Sequence, residues 1–405
     1  MEREERNNAR SPYLERNINI FKLTTFLSGI RLYVVNVVLQ PFVLSLYPSM
    51  TFVGLLQGLS GMNGLITTIV QPISGWISDR KGRKKLILLG STFTITSLLL
   101  FSFAGFLGAA FLLLPSAILM GVSFIRRPSE SSIVAESVKK ERRSYAYSII
   151  TLAMVAPGIF APYVGGLVAD NFGFASVFLI AALIEGICLL FLSLYLRETL
   201  EGESKNLPGR DEFLLFLKRI IAPPSSVRGL YLICALDSLM WGFGGYILTG
   251  LMRKEFGFTN AQLGLLNSAS NISWALLQIP IGHLIQRFGC KISLILSEAV
   301  GILAIMGFIF SNSFENFLIF EIPMGLVPAL WIPAINTLIA NATSEEERAE
   351  TFGRLWLLRG IVGFPGPIIG GFIYNSFGFD APLIANMLGA TLDMCLIYFF
   401  VREQS

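Results

Sequence analysis

Apolar runs of about 20 residues recur along the whole chain, each closed by a short polar or glycine-containing break. A run of that length crosses the hydrocarbon core of a bilayer as a helix. The breaks divide the sequence into twelve predicted helices, near 23–46, 52–78, 86–104, 109–135, 145–169, 175–196, 229–250, 259–285, 292–311, 316–340, 351–374 and 381–400. The third and fourth are the hardest to separate, because "FAGFLGAAF" carries no charge to mark a turn. The expected fold class is an all-α polytopic membrane protein.

Charge adds orientation. With the N-terminus inside, the inner segments hold Arg3, Arg6, Arg10, Arg16, the cluster Arg80 to Lys85, Lys139, Lys140, Arg142 and Arg143. They also hold Arg197, Lys205, Arg210, Lys218, Arg219, Arg228, Arg287, Lys291, Arg348 and Arg402, whereas the outer loops hold only Arg253 and Lys254. That asymmetry predicts both termini in the cytoplasm. Composition agrees with the class: 53% of residues are hydrophobic and 14% charged, against about a quarter charged in soluble domains. The N-terminal "MEREERNNARSPYLERN" is charged and lacks an apolar stretch with a small-residue cleavage site, so it reads as a cytosolic tail.

The longest break, 198–228, divides residues 1–197 from residues 229–405, six predicted helices on each side. Within it "DEFLLFLKRI" reads either as an amphipathic helix on the membrane surface or as an ordinary linker helix. The halves repeat one another. Gly75, Arg80, Gly82 and Lys84 recur as Gly282, Arg287, Gly289 and Lys291. Pro162, Gly165, Gly166 and Gly173 recur as Pro367, Gly370, Gly371 and Gly378; Arg143 matches Arg348 and Pro128 matches Pro333. Landmarks in one order at a nearly constant offset identify a six-plus-six repeat.

At these residues the chain resembles the major facilitator superfamily of secondary transporters. "GWISDRKGRK", through Gly75, Asp79, Arg80, Gly82, Arg83 and Lys84, is similar to that family's loop between the second and third helices. "GIFAPYVGG", through Gly158, Pro162, Gly165 and Gly166, is similar to its Gly/Pro motif on the fifth, and Pro367 and Gly371 repeat it. The resemblance implies two pseudo-symmetric six-helix bundles rocking about a midplane site, and a latch that holds the outward-facing state. In the loop the cations suit anionic headgroups, and Asp79 is either the latching carboxylate or a local loop organiser. Gln286 and Cys290 replace Asp79 and Arg83 in the second copy, so the latch is expected on one side only.

Charges inside the membrane mark function by default. Arg31, Arg126, Asp237 and Arg359 each lie about 15 Å from the inner end of their helix at 1.5 Å rise per residue. Arg31 and Asp237, 206 positions apart, are expected either to pair across the two halves or to be satisfied within their own. Arg126, Arg127 and Glu130 form a second cluster, loosened by Pro128. The expected substrate-lining set is Arg31, Arg126, Arg127, Glu130, Asp237, Trp241, Asn271, Trp331 and Arg359, with Trp274, Asn267 and Asn336 as further candidates. Its net positive charge tilts the reading toward substrates with an anionic group; drug efflux on Asp237 and Glu130 is the opposing one.

Glu185, Glu298 and Asp393 are expected on peripheral helices, facing the bundle, with Glu298 or Asp393 a candidate proton carrier. Glu321 is expected near the outer surface and solvated. The single His283 and the four cysteines show no metal or disulfide spacing, and neither a phosphate-binding loop nor a metalloprotease motif is present. No enzyme activity, metal or cofactor is expected; a proton gradient is the suspected energy source. The arginine motif that many proton-driven exporters of this family carry on the fourth helix is not seen in "LLLPSAILMG".

These readings converge on an alternating-access transporter of the plasma or inner membrane, expected to export drugs or metabolites by proton exchange. Uptake or exchange of small organic anions and a non-transporting sensor are the alternatives. Expected partners are membrane lipids and a small-molecule substrate, with no nucleic acid and a monomeric state.

Overall fold

The computed structural model describes residues 2–139, 142–200, 227–343 and 345–401, with side chains from Arg16 onward excepting 79, 144 and 345–350. Most of the 198–228 linker, including "DEFLLFLKRI", and the side chain of Asp79 lie outside the described residues. Among the described residues every regular element is a helix.

Among the described residues nine helices are long and apolar enough to cross a membrane: Arg16–Leu46, Met50–Ser78, Arg83–Leu107, Ala110–Glu136, Phe174–Tyr195, Cys290–Phe310, Phe314–Ala342, Thr351–Phe377 and Asp380–Phe400. Two bent pairs, Tyr145–Ile159 with Ala161–Phe172 and Arg228–Phe243 with Gly245–Phe256, bring the number to eleven. The remaining predicted span is the 29-residue helix Asn260–Phe288, long enough to cross but loaded with Asn, Gln and Ser. Numbered in chain order these are the first to twelfth spans, and their boundaries fall within a few residues of the hydropathy breaks except at helix extensions outside the apolar core. The end of the bundle that carries Arg16 and Phe400 is called the inner end.

Local chemistry explains the helix ends. Ser49 and Ser313 accept from the backbone N–H of Phe52 and Asn316, and Thr259 with Gln262 forms a reciprocal capping box. Six turns between spans place glycine at positive φ, where other residues are strained, and four of them fall in repeat pairs. The four are Gly82 (100°) and Gly289 (89°), then Gly173 (79°) and Gly378 (84°). They are the repeat partners found in the sequence, so the internal symmetry extends to backbone conformation.

Several spans are interrupted near mid-membrane, among them the eleventh, between Glu345–Gly363 and Pro365–Phe377. The second breaks between Met50–Ser60 and Leu65–Lys81. The fifth and seventh each bend by 43°, beside Phe160 and Gly244. Backbone freed at that depth is tolerated only against protein or a polar cavity.

The halves meet chiefly through the fifth span on the eighth and the second on the eleventh. A Cβ at Gly54 would lie 2.0 Å from the Pro367 carbonyl oxygen, and one at Gly371 2.3 Å from that of Met50. A Cβ at Gly166 would lie 2.1 Å from the Asn260 oxygen, and one at Gly264 2.3 Å from that of Pro162. These crossings sit at the outer end. Toward the inner end, a Cβ on Gly282 or Gly353 would meet nothing within 4 Å. The halves are therefore closely packed at the outer end. The Gly/Pro motif residues Gly158, Pro162, Gly166, Pro367 and Gly371, expected to pack helices, lie at or beside these crossings, and Gly158 abuts Tyr33 and Asn271.

The inner loop cations find partners in their own half. Arg80 donates to the Trp76 carbonyl at 3.0 Å and stacks on its ring. Arg83 pairs with Glu136 and donates to Thr199. Glu198 accepts from the backbone N–H of Lys84 at 2.9 Å, capping the third span. Burial by itself raises the Glu198 carboxyl, but backbone donors at Leu200, Lys84, Arg83 and Thr199 outweigh it and hold the group below the usual carboxylate range. Large apolar side chains such as Phe310, Phe377 and Leu276 point outward from the bundle, where lipid covers them in a membrane-spanning protein.

Candidate functional site

Two of the cavities along the boundary between the halves carry charged side chains. One of about 250 Å³ is lined by Arg31, Asn36, Gln57, Arg126, Arg127 and Glu130, with Thr249 and Asn267 from the opposite half. The second, about 300 Å³, is lined by Tyr33, Asn271, Trp274, Glu321 and Met324 among others. Asn36, Thr249 and Asn267 line both, so they form two lobes of one interface region, the first basic and the second acidic and aromatic.

Behind the basic lobe stands a buried network. Glu185 on the sixth span is fully buried and forms an ion pair with Arg31 Nε at 2.8 Å. It pairs with Arg126 as well. Arg126 also reaches Glu130 at 3.0 Å, Ser91 at 3.1 Å and Ser28 at 3.3 Å. Arg127 points its guanidinium over the Phe124 ring at 4.8 Å. Among the described residues no carboxylate forms an ion pair with Arg127. Three guanidinium groups thus face two carboxylates, leaving one positive charge in excess.

The C-terminal half holds the inverse arrangement. Arg359 donates to Asp237 at 2.8 Å. Asp237, Glu298 and Asp393 place carboxylate oxygens within 4.8 Å of one another. Trp241 Nε1 donates to Glu298 at 3.3 Å. Among the described residues neither oxygen of Asp393 nor Oε1 of Glu298 has a hydrogen-bond partner, and both residues are 1% exposed. Three carboxylates face one guanidinium, an excess of two negative charges. At an effective dielectric near 20, two like charges that close repel by about 3 kcal/mol, so the group cannot stand fully ionised without a bound positive charge.

The two networks occupy equivalent positions. Arg31 corresponds to Asp237, Ser91 to Glu298 and Glu185 to Asp393, at offsets of 206, 207 and 208. The net charge reverses because Asp237 replaces Arg31 and Glu298 replaces Ser91, while an acid is kept at Glu185 and Asp393.

Of the expected substrate-lining residues, the structure gathers Arg31, Arg126, Arg127 and Glu130 in the basic lobe and Asn271 in the other. Asp237, Trp241, Trp331 and Arg359 line neither lobe. Depth along a helix was correctly placed, but azimuth was not: Asp237 and Arg359 turn into their own half, and Trp331 packs in the inner core with Tyr231 and Leu355. The suggested pairing of Arg31 with Asp237 gives way to two separate intra-half ion pairs. Glu321 is a correction: it is 6% exposed and faces a cavity instead of solvent. Glu185 is the residue that sequence reasoning undervalued; its fixed offset from Asp393 was the available signal.

A pseudo-two-fold bundle of two parallel six-helix repeats, with broken spans and a polar cavity at the seam, defines a membrane transporter of the internal-repeat class. The Major Facilitator Superfamily model matches residues 23–252 and 230–405, and the chain belongs to that family. It is 26% identical over 381 residues, 91% of each chain, to the Multidrug resistance protein MdtG of Salmonella arizonae. To the protein of that name from Dickeya zeae it is 24% identical over 96% of each chain. Its fold is similar to a bacterial homolog of the human lysosomal transporter Spinster in an inward-facing, unoccupied conformation (TM-score 0.74, 16% identity, 96% of each chain). It is likewise similar to the human organic anion transporter MFSD10 (TM-score 0.69, 20% identity, 95% of this chain and 99% of that one). The protein is a multi-pass secondary transporter and not an enzyme.

Proposed function

We propose that this transporter exports drugs or metabolites bearing an anionic group, from the cytoplasm outward, by alternating access and in exchange for protons. The observation that carries the substrate class is Arg127, a cation in the basic lobe with which no carboxylate among the described residues forms an ion pair. A buried acid can neutralise itself by taking a proton; a guanidinium cannot give one up. The excess charge of the basic lobe therefore calls for an anion from outside the protein. Asn36, Gln57, Thr249 and Asn267 supply neutral hydrogen-bonding groups around it, and apolar lining takes the rest of the substrate.

The names of the MdtG relatives support the drug-export direction. The concentration of Lys and Arg at the inner end supports placing that end, with both termini, in the cytoplasm of a plasma or inner membrane. The protein works as a monomer bathed in lipid, with a small molecule as its other partner and no cofactor.

The test is thermal stabilisation of the purified protein by p-toluenesulfonate and by tetraphenylphosphonium. Stabilisation by the sulfonate, lost in Arg127→Gln, is expected. Glu321 among Trp274, Tyr33 and Met324 favours a second reading, in which lipophilic cations bind the other lobe. Stabilisation by the phosphonium ion alone, lost in Glu321→Gln, would replace the first reading with the second.

A further inference from the structure

We propose that Glu298 and Asp393 form the coupling-proton site of this transporter, holding at least one proton between Glu298 Oε1 and the carboxylate of Asp393. The assignment deepens the exporter reading and rests on it for its transport arm, while its spectroscopic arm stands without it.

Three observations converge. The first is the charge excess of Asp237, Glu298 and Asp393 over Arg359 within one buried group. The second is the state of the oxygens. Asp237 Oδ2 is engaged by Arg359, and Glu298 Oε2 by Trp241. Glu298 Oε1 and both oxygens of Asp393 are buried with no donor of their own. Buried carboxylate oxygens left bare cost several times an ordinary hydrogen bond. A proton on one acid supplies the missing donor to the other, and both free edges are satisfied together. The third is the other half of the molecule. At the position equivalent to Asp393, Glu185 is neutralised by Arg31 and Arg126. At the positions equivalent to those arginines the C-terminal half carries Asp237 and Trp331, so the compensating charge has to come from solution.

The groups facing this pair are Asp237 and Cys234 from the seventh span and Arg359 from the eleventh, with Tyr246 from the bend of the seventh beside Asp237 and Arg359. Among the described residues the eighth and tenth spans add no charged group beside it. Asp237 is engaged by Arg359, whereas the bare oxygens belong to Glu298 and Asp393, the members assigned to exchange protons. No bond other than O–H is made or broken: the proton moves from the carboxyl to water, and the remaining negative charge draws Arg359 toward the pair. Because Arg359 sits on the eleventh span, which crosses the second at the seam, deprotonation pulls on the contact that closes the outer end.

The first arm is infrared titration of the purified full-length protein from about pH 5 to about pH 9, across the range between ordinary carboxylates and cysteine. A protonated-carboxyl C=O band that disappears as pH rises is expected, absent from Glu298→Gln/Asp393→Asn and retained in Asp393→Glu. Size-exclusion elution and circular dichroism establish that each variant is folded. The second arm follows bulk pH when p-toluenesulfonate is added to unbuffered protein. Proton release by the unaltered protein, reduced at least tenfold in the double variant, is expected. A titrating band with no sulfonate response would leave the proton site standing and refute the anion reading. The same band in unaltered protein and double variant would overturn the site. So would stabilisation by sodium chloride relative to choline chloride with no such band, which assigns the pair to a metal cation.

Discussion

The carboxylate of Asp170, at the outer end of the fifth span, accepts from the backbone N–H of Asn260 at 3.1 Å across the boundary between the halves. The same carboxylate accepts from the Asn260 side chain at 2.8 Å and from the Ala261 N–H at 2.8 Å. It thus sits on the positive end of the eighth span, where a carboxylate is favoured. At the equivalent position of the other half, Asn375 donates to Thr51 at 2.9 Å. The outer closure therefore has a charged latch on one side of the pseudo-axis and a neutral one on the other.

Asp170→Ala is expected to remove about 1–2 kcal/mol from the outward-closed arrangement, a population shift of roughly 5–30-fold. Spin-label distances across the outer ends of the fifth and eighth spans would lengthen. An unchanged distance distribution would show that the contact is incidental.

Gly166→Val and Gly54→Val should act in the same direction and more completely. The new Cβ at either site would fall about 2 Å from a backbone oxygen, which no side-chain rotation relieves. The variants are expected to fold yet to label readily at outer cysteines placed in the seam. Protection equal to that of the parent would refute the crossing geometry.

The ion-pair assignment predicts where coupling resides. Removing Glu185 leaves Arg31 and Arg126 buried together, at a cost of about 3–5 kcal/mol. A double-mutant cycle on Arg31 and Glu185 should give a coupling energy above about 0.5 kcal/mol, whereas Arg31 with Asp237 should be additive. Denaturation in detergent measures both. Strong coupling of Arg31 to Asp237 would instead place the pair across the halves.

Glu198 gives a pH signature outside the membrane. Its folded-state pKa lies below its unfolded value, so its contribution is present above the ordinary glutamate range, about 4.3, and is lost as pH falls through the folded value. Glu198→Gln should melt earlier than the parent near neutral pH, and the two melting curves should converge in acid. A gap that persists in acid would show that the capping charge is not the cause.

Much of this was legible in the sequence. Apolar length gave the spans, and matched glycines such as Gly82 with Gly289 gave the repeat, because both are local constraints. Arg31 and Arg126 were found because a charge in an apolar run needs no alignment to be conspicuous. What failed was direction around the helix. Asp237 and Arg359 share the depth of Arg31 but face each other inside one half, a matter of azimuth that periodicity in an all-apolar helix does not encode. Glu321 was misplaced for a related reason: its distance from the helix end suggested solvent, while the eighth span covers it through the close approach at Gly325. The Asp79 latch lies outside the described side chains.

The most direct measurement of the central claim is uptake of radiolabelled p-toluenesulfonate into inside-out vesicles with an acidic lumen. Saturable, gradient-dependent accumulation that is abolished in Arg127→Gln is the predicted result. Equal accumulation in Arg127→Gln and parent vesicles, or accumulation of tetraphenylphosphonium with none of the sulfonate, would contradict it.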